Sequence, residues 1–228
     1  MLEKTKHTQL IILIDPDKYN PALIKLADKS KAAYIFVGGS ILKKNTFEKT
    51  IKSIKSITKI PVIIFPGDET QISKNADGIL MLSLLSGRNA EYLIGKHVKA
   101  AKKIKAANIK VIPTGYILID GANKSTTQKI TKTKPLSNKK EIIETAIAGE
   151  LLGKKVIYLE AGSGAKKTLN ESIIKEVKKN ISIPLVVGGG IDSVLKIKTI
   201  LISRPDYIVV GNALEKNPQF LIELNKLF

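Results

Sequence analysis

The chain has 228 residues, enough to bury a sizeable core as one large α/β domain or two small ones, and one eight-stranded barrel fits that length. It contains no cysteine, which excludes a disulfide framework, a thiolate nucleophile and any cysteine-based metal site. The formal net charge of +18 is almost all lysine, with Arg88 and Arg204 the only arginines, and aromatics make up 5% of residues, so the guanidinium forks and stacking platforms of nucleic-acid recognition are scarce.

No nucleic-acid partner is therefore expected. A lysine-rich solvated surface is the plainer reading of the charge, and an anionic substrate or an anionic membrane surface are the others. The absence of cysteine leads to the expectation of a cytoplasmic protein, and the opening residues, MLEKTKHTQLIILIDPDK, carry one short apolar run that Asp15 ends and no small-residue cleavage site. No later apolar run approaches the roughly 20 residues of a membrane span.

Apolar, β-rich runs follow at residues 9–14 (QLIILI), 33–37 (AYIFV), 60–65 (IPVIIF), 77–82 (DGILML), 109–113 (IKVIP), 155–160 (KVIYLE), 183–187 (IPLVV) and 206–210 (DYIVV). They are continuous rather than alternating, as parallel strands covered on both faces read. Helical segments lie between most of them. Asn45 with Glu48, Asn138 with Glu141 and Thr168 with Glu171 stand at capping-box spacing, ahead of helical periodicity over 46–57, 141–152 and 169–179. Eight strands with alternating helices predict an α/β fold, a (β/α)8 TIM barrel in a single domain over 1–228, ahead of an open doubly wound sheet.

Two intervals break the pattern. Between Phe65 and Asp77 the chain is too short for a covering helix and its loops, so the third helix is expected to be missing. That gap leaves either an apolar groove suited to a long hydrophobic ligand or a short coil that covers the strands. From Asp120 to Glu141 no acid intervenes, while Lys124, Lys129, Lys132, Lys134, Lys139 and Lys140 supply positive charge. The segment reads as a mobile, anion-attracting lid or as an ordinary solvated loop.

Three glycine-bearing turns end consecutive strands: YLEAGSGAK from Tyr158, PLVVGGGI from Pro184 and YIVVGNALE from Tyr207. Glycine lets backbone N–H groups converge, and a following helix N-terminus adds partial positive charge, so the three turns point to a phosphate site. Glu160, at the end of strand six, is a candidate general base or a ligand for a substrate hydroxyl, and Tyr158 points the same way along the strand. Asn212 is a phosphate ligand or a helix cap. Asp15 and Ser40 close strands one and two as an oxygen-rich pair suited to Mg²⁺ with substrate phosphates, or else as an Asx turn and a helix cap.

Competing motifs fail. A P-loop would need other residues at Ala148 and Lys155, and that stretch precedes its strand. The turn at Gly162–Gly164 lacks the outer glycines of a nucleophile elbow and the third glycine of a dinucleotide fingerprint. His7 and His97 are the only histidines, and His97 reads as structural or exposed.

LIDPDK, FVGGS, IIFPG, PTGYILIDG, AGELLGKKVIYLEAGSGA, PLVVGGGI and YIVVGNALE resemble, in order and from end to end, the geranylgeranylglyceryl phosphate synthase family of prenyltransferases. The resemblance implies a modified TIM barrel without its third helix, and Mg²⁺-dependent alkylation of sn-glycerol 1-phosphate by a polyprenyl diphosphate to give an ether lipid. It places the magnesium site on Asp15 and Ser40. It places the glycerol-phosphate site on Tyr158, Leu159, Glu160, Ala161, Gly162, Ser163, Gly164, Gly189, Gly190, Gly211 and Asn212, with Glu160 orienting the reacting hydroxyl or taking its proton. A heptaprenyl-transferring relative has lysine where Leu13 stands, so the geranylgeranyl-using branch is the nearer match. A homo-oligomer is expected, and a lipid product makes transient contact with a membrane surface plausible. Two rivals remain: another phosphate-binding barrel enzyme, such as an isomerase, and a basic nucleic-acid-binding protein.

Overall fold

Isoleucine, valine and leucine dominate the eight strand runs, and their branched side chains suit strands packed on both faces. In the computed structural model, which describes residues 1–42, 46–162 and 164–228, the strands are β1 (Gln9–Ile14), β2 (Ala32–Val37), β3 (Val62–Ile64), β4 (Gly78–Leu84), β5 (Lys110–Leu118), β6 (Val156–Glu160), β7 (Leu185–Gly188) and β8 (Tyr207–Val210). They hydrogen-bond in chain order into a closed barrel, so the TIM-barrel expectation is borne out. Among the described residues no helix is long and apolar enough to cross a membrane.

The helices are α1 (Pro21–Asp28), α2 (Phe47–Ile57), α3 (Lys96–Ala107), α4 (Thr126–Thr131), α5 (Lys139–Leu151), α6 (Glu171–Asn180), α7 (Val194–Ile202), α8 (Asn212–Lys216) and α9 (Phe220–Leu224). Asn138 caps α5 as expected, its side chain accepting from the Glu141 N–H. For α6 the expected cap shifts: Asn170, two residues beyond Thr168, accepts from Ser172 and starts the helix. An amide side chain nearer the first turn out-competes the threonine. Asn45 lies outside the described residues, and α2 starts after Thr46 without a side-chain cap bond.

The chain forms two compact units. The first comprises Met1–Thr8, Leu82–Gly95 and Pro113–Val209, and the second Gln9–Met81, Lys96–Ile112 and Val210–Phe228. In the first, Ile157, Leu159, Val186, Val187 and Ile208 are fully buried with Ile174 and Val177 of α6 and Ile197 of α7. In the second, Ile11, Ile12, Ile35 and Ile63 are buried with Ile24 of α1 and Ile51 and Ile54 of α2.

No helix joins β3 to β4, as the short interval required. Val62, Ile63 and Ile64 of β3 are completely buried, while Met81 and Leu82 of the next strand are half-buried. The coil between these strands is tied down by polar contacts. Lys55 of α2 pairs with both carboxylate oxygens of Asp77 at 2.8 Å, and Asp77 also accepts from the Val62 N–H. Buried Gln71 clasps Gly39, accepting from its N–H at 3.3 Å and donating to its carbonyl at 2.7 Å.

The lysine-rich stretch after β5 is more structured than a loop. Ser125 caps the short helix α4, Thr131 and Thr133 are buried, and Leu136 forms a one-residue parallel bridge with Ile119.

Candidate active site

In the first unit the parallel register sets Tyr116 beside Tyr158, Leu118 beside Glu160 and Glu160 beside Gly188, so β5, β6 and β7 end together. Strand alternation turns Tyr158 and Glu160 to one side. The missing side chain of Gly188 confirms this, since a Cβ there would lie 2.3 Å from the Tyr158 hydroxyl and 3.0 Å from Glu160 Oε2. Leu159 turns the other way and is wholly buried.

Glu160 is 7% exposed. The Gly162 N–H donates to its Oε1 at 2.7 Å. Burial pushes the carboxyl up to about 7, against the smaller opposing effects of the Gly162 N–H and the neighbouring Tyr158 hydroxyl. Tyr158 is itself held well above the ordinary phenol range by burial and by the nearby Glu160 carboxylate, so it remains a neutral donor. Tyr116, pushed up by the same two causes, hydrogen-bonds Thr127 of α4 and lies 5.3 Å from the Tyr158 ring.

Gly189 has φ +90, and a Cβ there would fall 2.3 Å from Glu160 Oε1 and 2.7 Å from the Gly162 nitrogen. Only glycine lets the two turns approach this closely. The Gly190 carbonyl accepts from Lys196 Nζ at 2.9 Å, which brings an ammonium to the second turn. Ala161 is buried, its N–H donating to Gly188 O at 3.0 Å, and Gly164 offers its carbonyl to Asn123. Ser163 lies outside the described residues.

The second unit holds the other candidates. Asp15 ends β1 and caps a one-turn 3-10 helix over Pro16–Lys18, with Oδ1 accepting from the Asp17 N–H at 3.0 Å. The Asx-turn reading is therefore correct, and it leaves the carboxylate able to do more. Oδ2 lies 3.5 Å from Lys18 Nζ. A Cβ on Gly39 would stand 3.3 Å from Asp15 Oδ1, so glycine at 39 opens space beside that carboxylate just ahead of Ser40. Ser40 does not cap α2, which begins at Phe47. Asn212 is not a helix cap either; Gly211 occupies that position at α8, with Asn212 the first helical residue, and a Cβ on Gly211 would contact Leu13 at 3.3 Å.

Among the described residues no group of three or more histidine, cysteine or acidic side chains could hold a metal. Asp15 is a carboxylate of the kind that Mg²⁺ commonly takes, one or two together with substrate phosphates.

Sequence reading passed over Gly188, Tyr116, Lys196 and Glu215. Glu215 of α8 is nearly buried, accepting from the Asp15 N–H at 3.1 Å and from Lys18 Nζ at 3.0 Å. VGGGI did signal Gly188, as the first of its three glycines. A helical glutamate paired with residues 197 and 200 positions away gave no local sign.

A closed parallel eight-stranded barrel places the protein in the TIM-barrel class, whose active sites form at the C-terminal ends of the strands. The chain belongs to the PcrB family, whose model matches residues 2–226. It is 46% identical over 213 residues to the geranylgeranylglyceryl phosphate synthase of Zunongwangia profunda, covering 90% of each chain. It is 37% identical over 221 residues to that of Pyrococcus furiosus, covering 93% of this chain and 87% of the other. The crystal structure of (S)-3-O-geranylgeranylglyceryl phosphate synthase from Thermoplasma acidophilum in complex with substrate sn-glycerol-1-phosphate matches with a TM-score of 0.89 at 30% identity, over 98% of this chain and 95% of that one. The resemblance carried by the motifs is thereby borne out.

Proposed function

We propose that this chain is a prenyltransferase that joins sn-glycerol 1-phosphate to geranylgeranyl diphosphate, giving geranylgeranylglyceryl phosphate and diphosphate. The observation that carries the reading is Glu160, a carboxylate buried against two glycine turns and titrating near neutrality. Family membership supports the same chemistry.

The turns at Gly162–Gly164 and Gly189–Gly190, with Lys196 behind the second, suit the phosphate of the acceptor. The Gly162 N–H fixes the Glu160 carboxylate, and glycine at 188 keeps side-chain atoms away from Oε2 and the Tyr158 hydroxyl. The acceptor's terminal hydroxyl oxygen forms a bond to the allylic carbon. The carbon–oxygen bond to the diphosphate breaks, the diphosphate leaves with the electron pair, and the hydroxyl proton passes to Glu160. A base titrating near the working pH accepts that proton with little penalty. Asp15 with Ser40 would hold Mg²⁺, which when bound supplies positive charge against the departing diphosphate.

Incubation with labelled glycerol 1-phosphate, geranylgeranyl diphosphate and Mg²⁺, followed by organic extraction, tests the reading. Extractable label should form, should vanish with chelator, and should fall at least 100-fold in Asp15→Asn while glycerol-phosphate binding persists, as expected for loss of a charge-stabilising ligand. Absence of extractable label from the unaltered protein would refute the activity, and near-normal turnover of Asp15→Asn would reduce Asp15 to a turn residue.

A further inference from the structure

The first unit carries an unbalanced basic surface. Lys124, Lys129, Lys132, Lys134, Lys166 and Lys167 are all exposed, and among the described residues none of their side chains is held in an ion pair or hydrogen bond. Two segments of this unit supply them, one running through helix α4 and one following the Gly162 turn, and hydrogen bonds join the segments near Asn123. Asn123 donates to the Gly164 carbonyl at 3.3 Å and accepts from the Lys166 N–H at 3.0 Å. The Lys167 N–H donates to Gly121 O at 3.3 Å. Alternating burial fixes the outward direction of two members, since Thr131, Thr133 and Leu136 are buried while Lys132 and Lys134 between them are exposed.

We propose that this surface docks the protein on anionic phospholipid bilayers. The choice of partner rests on the prenyltransferase reading, in which a substrate and the product are lipids. The chemistry of the surface supports it independently. Lysine ammonium groups are strongly hydrated point charges that act at a distance on a negatively charged headgroup layer, and each near such a surface contributes appreciable binding. The surface carries no arginine and no aromatic side chain among these positions, so it lacks the forks and stacking faces that nucleic acids would engage.

Flotation of the full chain with vesicles tests the proposal. The protein should float with phosphatidylcholine vesicles containing phosphatidylglycerol, should not float with phosphatidylcholine alone, and should be released by high salt. The triple variant Lys129→Gln, Lys132→Gln, Lys134→Gln should partition on the order of 10- to 100-fold more weakly. A control with equal charge removed from α3, Lys102→Gln, Lys103→Gln, Lys105→Gln, should partition nearly normally. Equal losses in the two variants, no flotation with either vesicle, or tighter binding of a DNA duplex through the same three lysines would each overturn it. Turnover on detergent-dispersed substrate separates the two readings: lost flotation with retained turnover belongs to this surface, and absent turnover with retained flotation counts against the prenyltransferase.

Discussion

In the folded protein the Glu160 carboxyl gives up its proton only near pH 7, whereas the unfolded chain releases it at the ordinary value near 4.5. Below 4.5 the group is protonated in both states and costs nothing. As the pH rises the unfolded form ionises first, so burial increasingly penalises the folded state, until above 7 the penalty is complete at on the order of 3 kcal/mol. Glu160→Gln, which keeps the shape and the acceptor for Gly162, should therefore be more stable than the parent at pH 8 and equally stable at pH 4, as read by thermal or denaturant unfolding. The same substitution should lower turnover by about 10² to 10⁴ with prenyl-diphosphate affinity unchanged, and should abolish the rise in activity centred near pH 7. An unaltered turnover number would remove Glu160 from the proton transfer. The residue itself was legible as a carboxylate ending an apolar strand. Its titration was not, because that depends on enclosure by Tyr158, Gly188 and Gly189, which meet it only in the fold.

At the level of elements, the turn after β7 is built around the end of β6. Gly189→Val places side-chain atoms where Glu160 Oε1 and the Gly162 N–H now stand, so glycerol-phosphate binding should fall by at least tenfold while prenyl-diphosphate binding changes little. Calorimetric titration with each substrate checks this, and equal losses would signify a damaged fold. Helix α8 has a comparable duty in the second unit, where Glu215 holds the Asp15 turn and Lys18 together. Glu215→Gln retains an acceptor for the Asp15 N–H but releases Lys18 to compete for the Asp15 carboxylate. The Mg²⁺ concentration giving half activity should rise several-fold, on the scale of an exposed-to-buried charge pair, with the KM for glycerol phosphate steady; an unchanged Mg²⁺ requirement would show that Glu215 only packs. All eight strands were readable as apolar runs, α2, α5 and α6 from helical periodicity, and the missing third helix from interval length. Helix α4 and the Leu136 bridge were not, because a lysine- and threonine-rich segment gives no apolar period and is ordered by contacts with β5 and the Gly162 turn.

For the whole molecule, charge was the feature most open to misreading, since a net +18 says nothing about where the lysines lie. Some are spent internally. Asp206, 1% exposed, accepts from Lys178 at 3.2 Å, from the Thr5 N–H at 3.0 Å and from the Leu185 N–H at 2.9 Å. Asp206→Ala would leave a partly buried ammonium and two backbone donors without that acceptor, and should cost about 3–5 kcal/mol in urea unfolding. A loss below about 1 kcal/mol would show that solvent replaces the carboxylate freely.

That same cluster bears on the order in which the chain can assemble. Thr5 finds its acceptor 201 residues later, Glu3 bonds the hydroxyl of Tyr207 in both directions, and Thr8 donates to Pro205 O. A ribosome releases these early residues long before their partners exist. Glu3, Thr5 and Thr8 must therefore wait for these partners through nearly the whole of translation, and the three attachments can form only when β8 and the turn before it have emerged.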